Sequence, residues 1–332
     1  MQLKFQVLGA FLASASVLAQ NNSATVPAAG VYNGGYNGTT RVGLRISNGG
    51  AGQSGFIGAW ADSFIQYMVK EKGSEPFLVQ WLLGDTTQSI NFINNKQTDV
   101  AVTYNEAAES AVWYSGTLSA WLYGFHDHFL FVGPTSNPAG LNETESVLSM
   151  AQKIVAKGNA DAATPPVNGT AVRFLSRYDK SATNIKDSQI WITIGQVPWG
   201  YAYSTWYHQY PRYPIQALQT AALLGEYTLT DRGTWLSSTA DVQNALTIFK
   251  AGSDNETDIL LNPARVLVAK PENTLDANIT NAFAQWVVLY DAQNKQGGQY
   301  VAETYTGTAQ TKQPFQPLYT RAPANWTIPP PQ

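Results

Sequence analysis

The chain has 332 residues, 44% of them hydrophobic and only 13% charged, with a formal net charge of -3 and no cysteine. That length is enough for two domains with separate cores, and the hydrophobic share argues against disorder. With no lysine or arginine run, neither nucleic acid nor a membrane surface is an expected partner. The lack of cysteine removes disulfides, thiol chemistry and cysteine metal sites.

The N-terminus reads as an export signal. Met1–Lys4 is a short basic start, Phe5–Leu18 is largely apolar, and Val17 and Ala19 suit a peptidase cut before Gln20. This predicts a signal peptide over residues 1–19 and a secreted, extracellular protein; the run is too short to span a membrane. The C-terminal residues 321–332 read as a tail, and Ile328–Gln332 gives no apolar segment for a lipid anchor. Sequons for N-linked glycans stand at Asn21, Asn37, Asn142, Asn168, Asn255, Asn278 and Asn325. That density predicts a eukaryotic secretory route, with every modified Asn on the surface.

Residues 20–40, rich in Asn, Gly, Ser and Thr, read as a flexible glycosylated leader. Val42–Ile46 alternates like a strand and enters the glycine-rich turn Ser47–Gly52. A helix is predicted from Ser54 to about Lys72, with Phe56, Trp60, Phe64 and Met68 near helical spacing. A strand over Phe77–Leu83, a helix opening at Thr86-Thr87, and strands over Val100–Thr103 and His128–Gly133 follow. Beyond Gly133-Pro134 come a strand at Ala171–Leu175, helices at about Asn184–Gly195 and Pro214–Leu224, a strand at Glu226–Thr230 and a helix near Asp241–Lys250. Val266–Ala269 returns as a strand and Ile279–Tyr290 as an amphipathic helix. Alternating strands and helices argue for an α/β protein with parallel strands and helices on both faces. Crossings near 134 and 264 predict a discontinuous domain I (41–133 and 265–320) around a continuous domain II (134–264).

Ligands in such folds sit beyond the carboxyl ends of strands, where helices begin. Two strand-to-helix turns stand out. In Ser47–Ser54, glycine lets backbone N–H groups face one point, with Ser47, Asn48 and Ser54 as candidate ligands; an ordinary tight turn explains the same glycines. In Ser176–Asn184, the hydroxyls of Ser176, Ser181 and Thr183 accompany Arg177, a fixed cation with several donors. An Arg177–Asp179 ion pair is the plainer reading of that turn. Thr86, Arg212 and Thr230 are secondary candidates, and Asp85 would repel an anion unless it points away. Asp231-Arg232-Gly233 reads as a brace for the second domain.

Three stretches carry a resemblance: Phe129–Pro134 with Asn137–Gly140; Phe174–Arg177 with Asp179, Ser181 and Thr183; and Tyr227–Leu236. In their order and spacing the chain resembles the tungstate-binding, type II periplasmic binding proteins of ABC transporters, including secreted fungal relatives, over roughly residues 42–318. The resemblance implies a two-domain fold with mixed sheets flanked by helices, a ligand cleft between domains, and a solute binder that works as a monomer without a cofactor. It also implies that Arg177, Ser181 and Thr183 contact a small inorganic oxyanion such as tungstate or molybdate. The chain departs from the family at Ser47-Asn48-Gly49-Gly50, where the family has a threonine-rich turn, and at Tyr210–Pro214, where it has a glycine-rich one. Those departures keep open a site retuned to phosphate, sulfate or an organic anion.

A secreted hydrolase is the remaining alternative. No Gly-x-Ser-x-Gly elbow occurs, and no carboxylate pair for glycoside hydrolysis is identifiable from sequence. His126 and His128 share one strand face but lack an evident third ligand, so no metal site is predicted.

Overall fold

A computed structural model describes residues 25–200, 204–307 and 317–328. The expected signal peptide (1–19), the first residues of the leader and Asn21 lie outside the described residues.

Strands and helices alternate through the first part of the chain: β1 (Gly30–Tyr32), β2 (Val42–Asn48), α1 (Gly50–Gln53), α2 (Phe56–Lys72), β3 (Leu78–Leu83), α3 (Thr86–Asn94), β4 (Val100–Thr103) and α4 (Glu106–Tyr114). The apolar stripe expected for α2 is buried at Phe56, Trp60, Phe64 and Met68. Gly73 ends that helix at φ +65, the left-handed conformation glycine adopts at lowest cost. Helix α3 starts from a reciprocal capping box: Asp85 accepts from the Gln88 N–H, and the Gln88 side chain accepts from the Asp85 N–H. Residues 30–32, expected within a flexible leader, instead pair antiparallel with β3.

The next strand, β5 (Leu118–Pro134), begins ten residues before the expected start at His128. Its first part carries Ser119, Gly124, His126 and Asp127, which mask its apolar pattern in sequence. Residues 118–128 pair with β10 (Leu261–Ala269), while residues 129–134 pair with β8 (Tyr227–Asp231) and β9 (Leu246–Ala251). One strand thus runs through both lobes of the molecule.

The second lobe adds α5 (Val147–Ala163), β6 (Phe174–Ser176), α6 (Ala182–Thr193), β7 (Tyr207–Gln209), α7 (Pro214–Leu224), α8 (Arg232–Ser237) and α9 (Ala240–Ala245). Helix α7 has the expected ends, set by Pro214 at its first turn and Gly225 at φ +65 after it. The helix expected over 241–250 stops at Ala245, because Leu246–Ala251 joins β5 as a strand. Thr247, Ile248 and Phe249 suit that pairing better than a helix interior. The chain ends with α10 (Ala277–Val287), α11 (Gly298–Thr304) and β11 (Thr320–Arg321), which pairs with β5.

The sheet is mixed. The triplets β3-β2-β4 and β7-β6-β8 are parallel, and the antiparallel strands β10 and β5 join them. Two main cores flank the cleft. One surrounds Trp60, Phe64, Phe125, Phe283 and Trp286; the other surrounds Phe131, Met150, Phe174, Trp191 and Tyr227. Leu218, Trp235, Leu236 and Val242 of α7–α9 pack with the first core, so these helices bridge the lobes. No helix among the described residues is long and apolar enough to cross a membrane.

Candidate functional site

The carboxyl ends of the parallel strands open onto one small cavity of about 30 Å³, lined by Gly49, Gly50, Asp85, Thr86, Tyr104, Asp127, Arg177, Ser181, Thr183, Pro214, Asp231 and Asn262, among others. A single water needs about 10–15 Å³ on this measure, so the space suits a few waters or one small ion. Helices α1, α3, α6 and α7 all begin at this wall, at Gly50, Thr86, Ala182 and Pro214. Their dipoles favour negative charge there, although some of the first-turn N–H groups are already taken, Gly52 by Asn48, Gln88 by Asp85 and Asn184 by Ser181, and Pro214 supplies none.

The second-lobe wall is built around Arg177. Its Nε donates to the Arg212 carbonyl at 2.9 Å and its Nη2 to Asp179 Oδ2 at 2.6 Å. The ion pair with Asp179 is therefore present, and it fixes the guanidinium at the cavity without removing it. Asp179 Oδ1 also accepts from the Ser181 N–H at 3.0 Å. Ser181 caps α6 by accepting from the Asn184 N–H, which leaves Thr183 in the first helical turn on the wall. Across the gap, the Thr86 hydroxyl is buried without a hydrogen-bond partner.

Thr86, Arg177, Ser181 and Thr183 thus come together, whereas the other candidates lie off the wall. Ser47 donates toward the Val100 carbonyl on β4 at 3.4 Å. Asn48 is spent on positioning: its Nδ2 reaches the Val102 carbonyl (2.9 Å) and the Tyr104 hydroxyl (3.2 Å), and its Oδ1 accepts from the Gly52 N–H (2.8 Å). Ser54 donates to the Ala51 carbonyl and shares a hydrogen bond with the Tyr319 hydroxyl. Ser176 donates to Asp187 Oδ2 at 2.7 Å, tying β6 to α6. Arg212 lies in an outer groove with its guanidinium 5.8 Å from the Tyr210 ring centroid. Thr230 is buried away from the cavity with an unpartnered hydroxyl, while the next strand residue, Asp231, reaches the wall. Alternation of side chains along β8 explains that one-residue offset.

The glycine-rich turn works through its backbone. Gly49 and Gly50 line the cavity, and Gly52 packs against Trp81, where a Cβ would come within 2.1 Å of the ring. Trp81 donates to the Asn48 carbonyl at 2.9 Å and locks the turn from behind.

Sequence reasoning did not anticipate Asp127, Tyr104 and Asn262, or the contribution of Asp231 to the wall. Asp127 Oδ1 accepts from the His128 N–H at 2.8 Å and Oδ2 from Asn262 Nδ2 at 3.1 Å. Asp231 accepts from the Thr234 N–H at 2.7 Å and from its hydroxyl at 2.6 Å, capping α8. Burial pushes the Asp127 carboxyl well above the usual range, and the nearby Asp231 charge adds to it. Burial likewise raises Asp231, against the opposing pull of the Thr234 bonds and Arg177. Asp85 is raised by burial and opposed by its bond from the Gln88 N–H. Each shift favours the neutral acid and lowers the repulsion an anion would meet.

His126 and His128 both meet Oδ1 of Asp254, at 2.8 and 2.9 Å, and Thr320 donates to the same oxygen at 2.6 Å. The cluster joins β5, the 252–258 loop and β11. No group of three or more His, Cys, Asp or Glu side chains among the described residues is placed to hold a metal ion.

Residues 16–290 match the model of the PBP superfamily domain, and the chain belongs to that family. It is 30% identical over 228 residues to a Haloferax volcanii protein described as a "putative ABC transporter anion-binding protein", covering 67% of this chain and 58% of that protein. It is 26% identical over 246 residues to the tungstate-binding protein TupA of Peptoclostridium acidaminophilum, covering 74% of this chain and 77% of that protein. A crystal structure described as a "periplasmic putative metal binding protein" superposes with a TM-score of 0.75 at 44% identity, covering 89% of this chain and 99% of that one. The architecture is the type II periplasmic-binding-protein fold, in a family of solute-binding proteins.

Proposed function

We propose that this protein is a secreted solute-binding protein that captures one small tetrahedral oxyanion, of the tungstate or molybdate kind, and is not an enzyme. The observation that carries this reading is the convergence of four helix N-termini and Arg177 on a cavity of about 30 Å³. Helix ends and a guanidinium hold an anion through fixed donors. The tungstate-binding and anion-binding relatives support the same ligand class. The proposed ligands are Arg177, Ser181, Thr183 and Thr86, with backbone N–H groups at the Gly49-Gly50 turn.

Capture is by closure of the discontinuous domain I on domain II, the protein working as a monomer; the expected crossings at 134 and 264 move to about 128 and 261, because residues 129–134 pair with β8 and β9 and Leu261 and Asn262 with β5. Thr87 donates to the Lys180 carbonyl at 2.9 Å and the Tyr213 hydroxyl to Gln88 Oε1 at 3.1 Å, contacts between lobes that a closed form would make. Bending in β5 near His128, where its partner strand changes, would open them. The sequons at Asn37, Asn142, Asn168, Asn255, Asn278 and Asn325 are all exposed, as glycan attachment requires.

A metal cation is the second reading, favoured by the description of the 44% identical structure. Thermal unfolding of dialysed protein separates the readings. A ligand at about 1,000 times its dissociation constant stabilises the native state by about 4 kcal/mol. Tungstate, molybdate, sulfate or phosphate should raise the midpoint while divalent cations leave it unmoved. A shift with cations alone would overturn the oxyanion reading.

A further inference from the structure

A second cavity, of about 280 Å³, lies on the first lobe and shares no residue with the cleft cavity. Three rings line it: Tyr123 on β5, Tyr290 beyond α10 and Trp326 near the C-terminus, with Leu122, Val288 and Pro323 adding aliphatic surface. Trp326 is held by contacts with Trp121 at 5.8 Å and Tyr123 at 5.9 Å between ring centroids, both edge to face. On the measure by which a water needs about 10–15 Å³, this space takes a ring with a substituent, where the cleft takes one small ion.

The polar groups of Gln299 and Tyr290 on this wall are already engaged. Gln299 donates to the Gly124 and Val287 carbonyls at 2.6 and 2.9 Å and accepts from the Ala322 N–H at 2.9 Å. The Tyr290 hydroxyl donates to Glu303 Oε2 at 2.6 Å, and Pro323 has no N–H to offer. Arg321 is different. Its Nε meets Glu303 Oε1 at 3.2 Å and its guanidinium lies 4.1 Å from the Tyr290 ring centroid, but its terminal nitrogens have no hydrogen-bonded acceptor among the described residues. A second guanidinium adds to the charge. Arg265 lies 3.7 Å from the Tyr123 ring centroid and 5.1 Å from that of Trp326. Its Nη2 meets Glu106 at 3.2 Å, while its Nε and Nη1 are buried without an acceptor. Among the described residues no carboxylate lines the cavity.

We propose that this cavity is a second ligand site and that it takes a small aromatic carboxylate, the acid group on the Arg321 guanidinium and the ring among Tyr123, Tyr290 and Trp326. Small-molecule sites are mostly apolar, with a few placed polar groups that fix orientation. The planar guanidinium fork matches a carboxylate, and a stacked ring gains more than the area it buries. The same lining argues against other classes. A sugar or polyol would bring hydroxyls to a wall whose amide and tyrosine groups are already bonded, and would lose water without new partners. An amine would meet two guanidiniums and no carboxylate. A bare tetrahedral oxyanion would leave the rings uncovered. The site stands independently of the oxyanion reading of the cleft.

Titration calorimetry at pH 7 with phenylacetate, cyclohexylacetate, benzyl alcohol and benzylamine tests the proposal. Phenylacetate should bind, cyclohexylacetate about two- to tenfold more weakly for want of ring stacking, and benzyl alcohol at least about tenfold more weakly for want of the charge. Benzylamine should not bind. Arg321→Gln should weaken phenylacetate at least about tenfold at an unchanged unfolding midpoint, and should move benzyl alcohol far less. No binding at millimolar phenylacetate overturns the proposal, as does benzylamine binding as tightly as the acid, or an Arg321→Gln affinity equal to wild type. Displacement of phenylacetate by tungstate would place it in the cleft and overturns it too. Should the variant not fold, a diazirine analogue of phenylacetate photolysed on wild-type protein locates the ligand directly. The peptides carrying Tyr290 and Trp326 should be labelled; label confined to other peptides contradicts the assignment.

Discussion

The two walls of the cavity are built in different ways. The second-lobe wall presents side chains: Arg177 fixed by Asp179, with Ser181 and Thr183 at the start of α6. The first-lobe wall presents backbone at Gly49 and Gly50, one unpartnered hydroxyl at Thr86, and the buried pair Asp127 and Asn262. One wall supplies charge and recognisable donors; the other supplies shape and dipoles. A site can therefore be electrostatically suited to an anion while half of its lining consists of glycines and carboxyl groups.

The largest expected effect tests the supports behind the walls. Glu109, behind the first, accepts from Thr103, the Asn105 N–H and Trp121, and burial pushes it up to about 7. Asp187, behind the second, accepts from Ser176 and Asn184, and burial pushes it up to about 8. Unfolded carboxyls titrate near 4. The native state thus holds more protons than the unfolded chain between about pH 4 and 8. Stability from these groups is complete below the unfolded value and lost as pH rises through about 7 and about 8. The unfolding midpoint should fall as pH rises from about 4 to about 8, and Asp187→Asn should flatten the upper part of that fall. A midpoint that rises over this range would contradict both assignments.

Arg177→Ala should weaken oxyanion binding by about 1.5–3 kcal/mol, the worth of a charge-assisted hydrogen bond, read by calorimetry. Unchanged affinity would leave the second wall without its cation. Gly52→Ala probes the first wall, since its Cβ would lie 2.1 Å from the Trp81 ring. Overpacking of this kind costs about 1–3 kcal/mol, so chemical denaturation should show that loss together with weaker anion binding. Ser181→Ala should cost about 1 kcal/mol through the lost cap of α6. A larger loss of affinity than of stability there would show that the hydroxyl touches the anion.

The same contrast explains what could be read from the sequence. The second wall was legible because Arg177, Ser181 and Thr183 are local to one strand-to-helix turn and carry the family's pattern. Helix α7 was legible for the same reason, with proline and glycine at its ends. Asp127 was hidden in the polar half of β5, and its partner Asn262 lies 135 residues away on β10. Asn48 looked like a ligand because it sits beside glycines, but its polar atoms are consumed by Val102, Tyr104 and Gly52. Thr230 and Asp231 show how a one-residue shift at a strand end moves a side chain from core to wall. Pairing across long separations, which no local pattern records, decided the first two of these; the third turned on where strand β8 ends.

Anomalous diffraction from crystals grown with saturating tungstate tests the central claim most directly. One tungsten peak should lie between Thr86, the Gly49-Gly50 turn, Arg177 and Thr183. A peak elsewhere, or an empty cavity in protein that binds tungstate in solution, would contradict it.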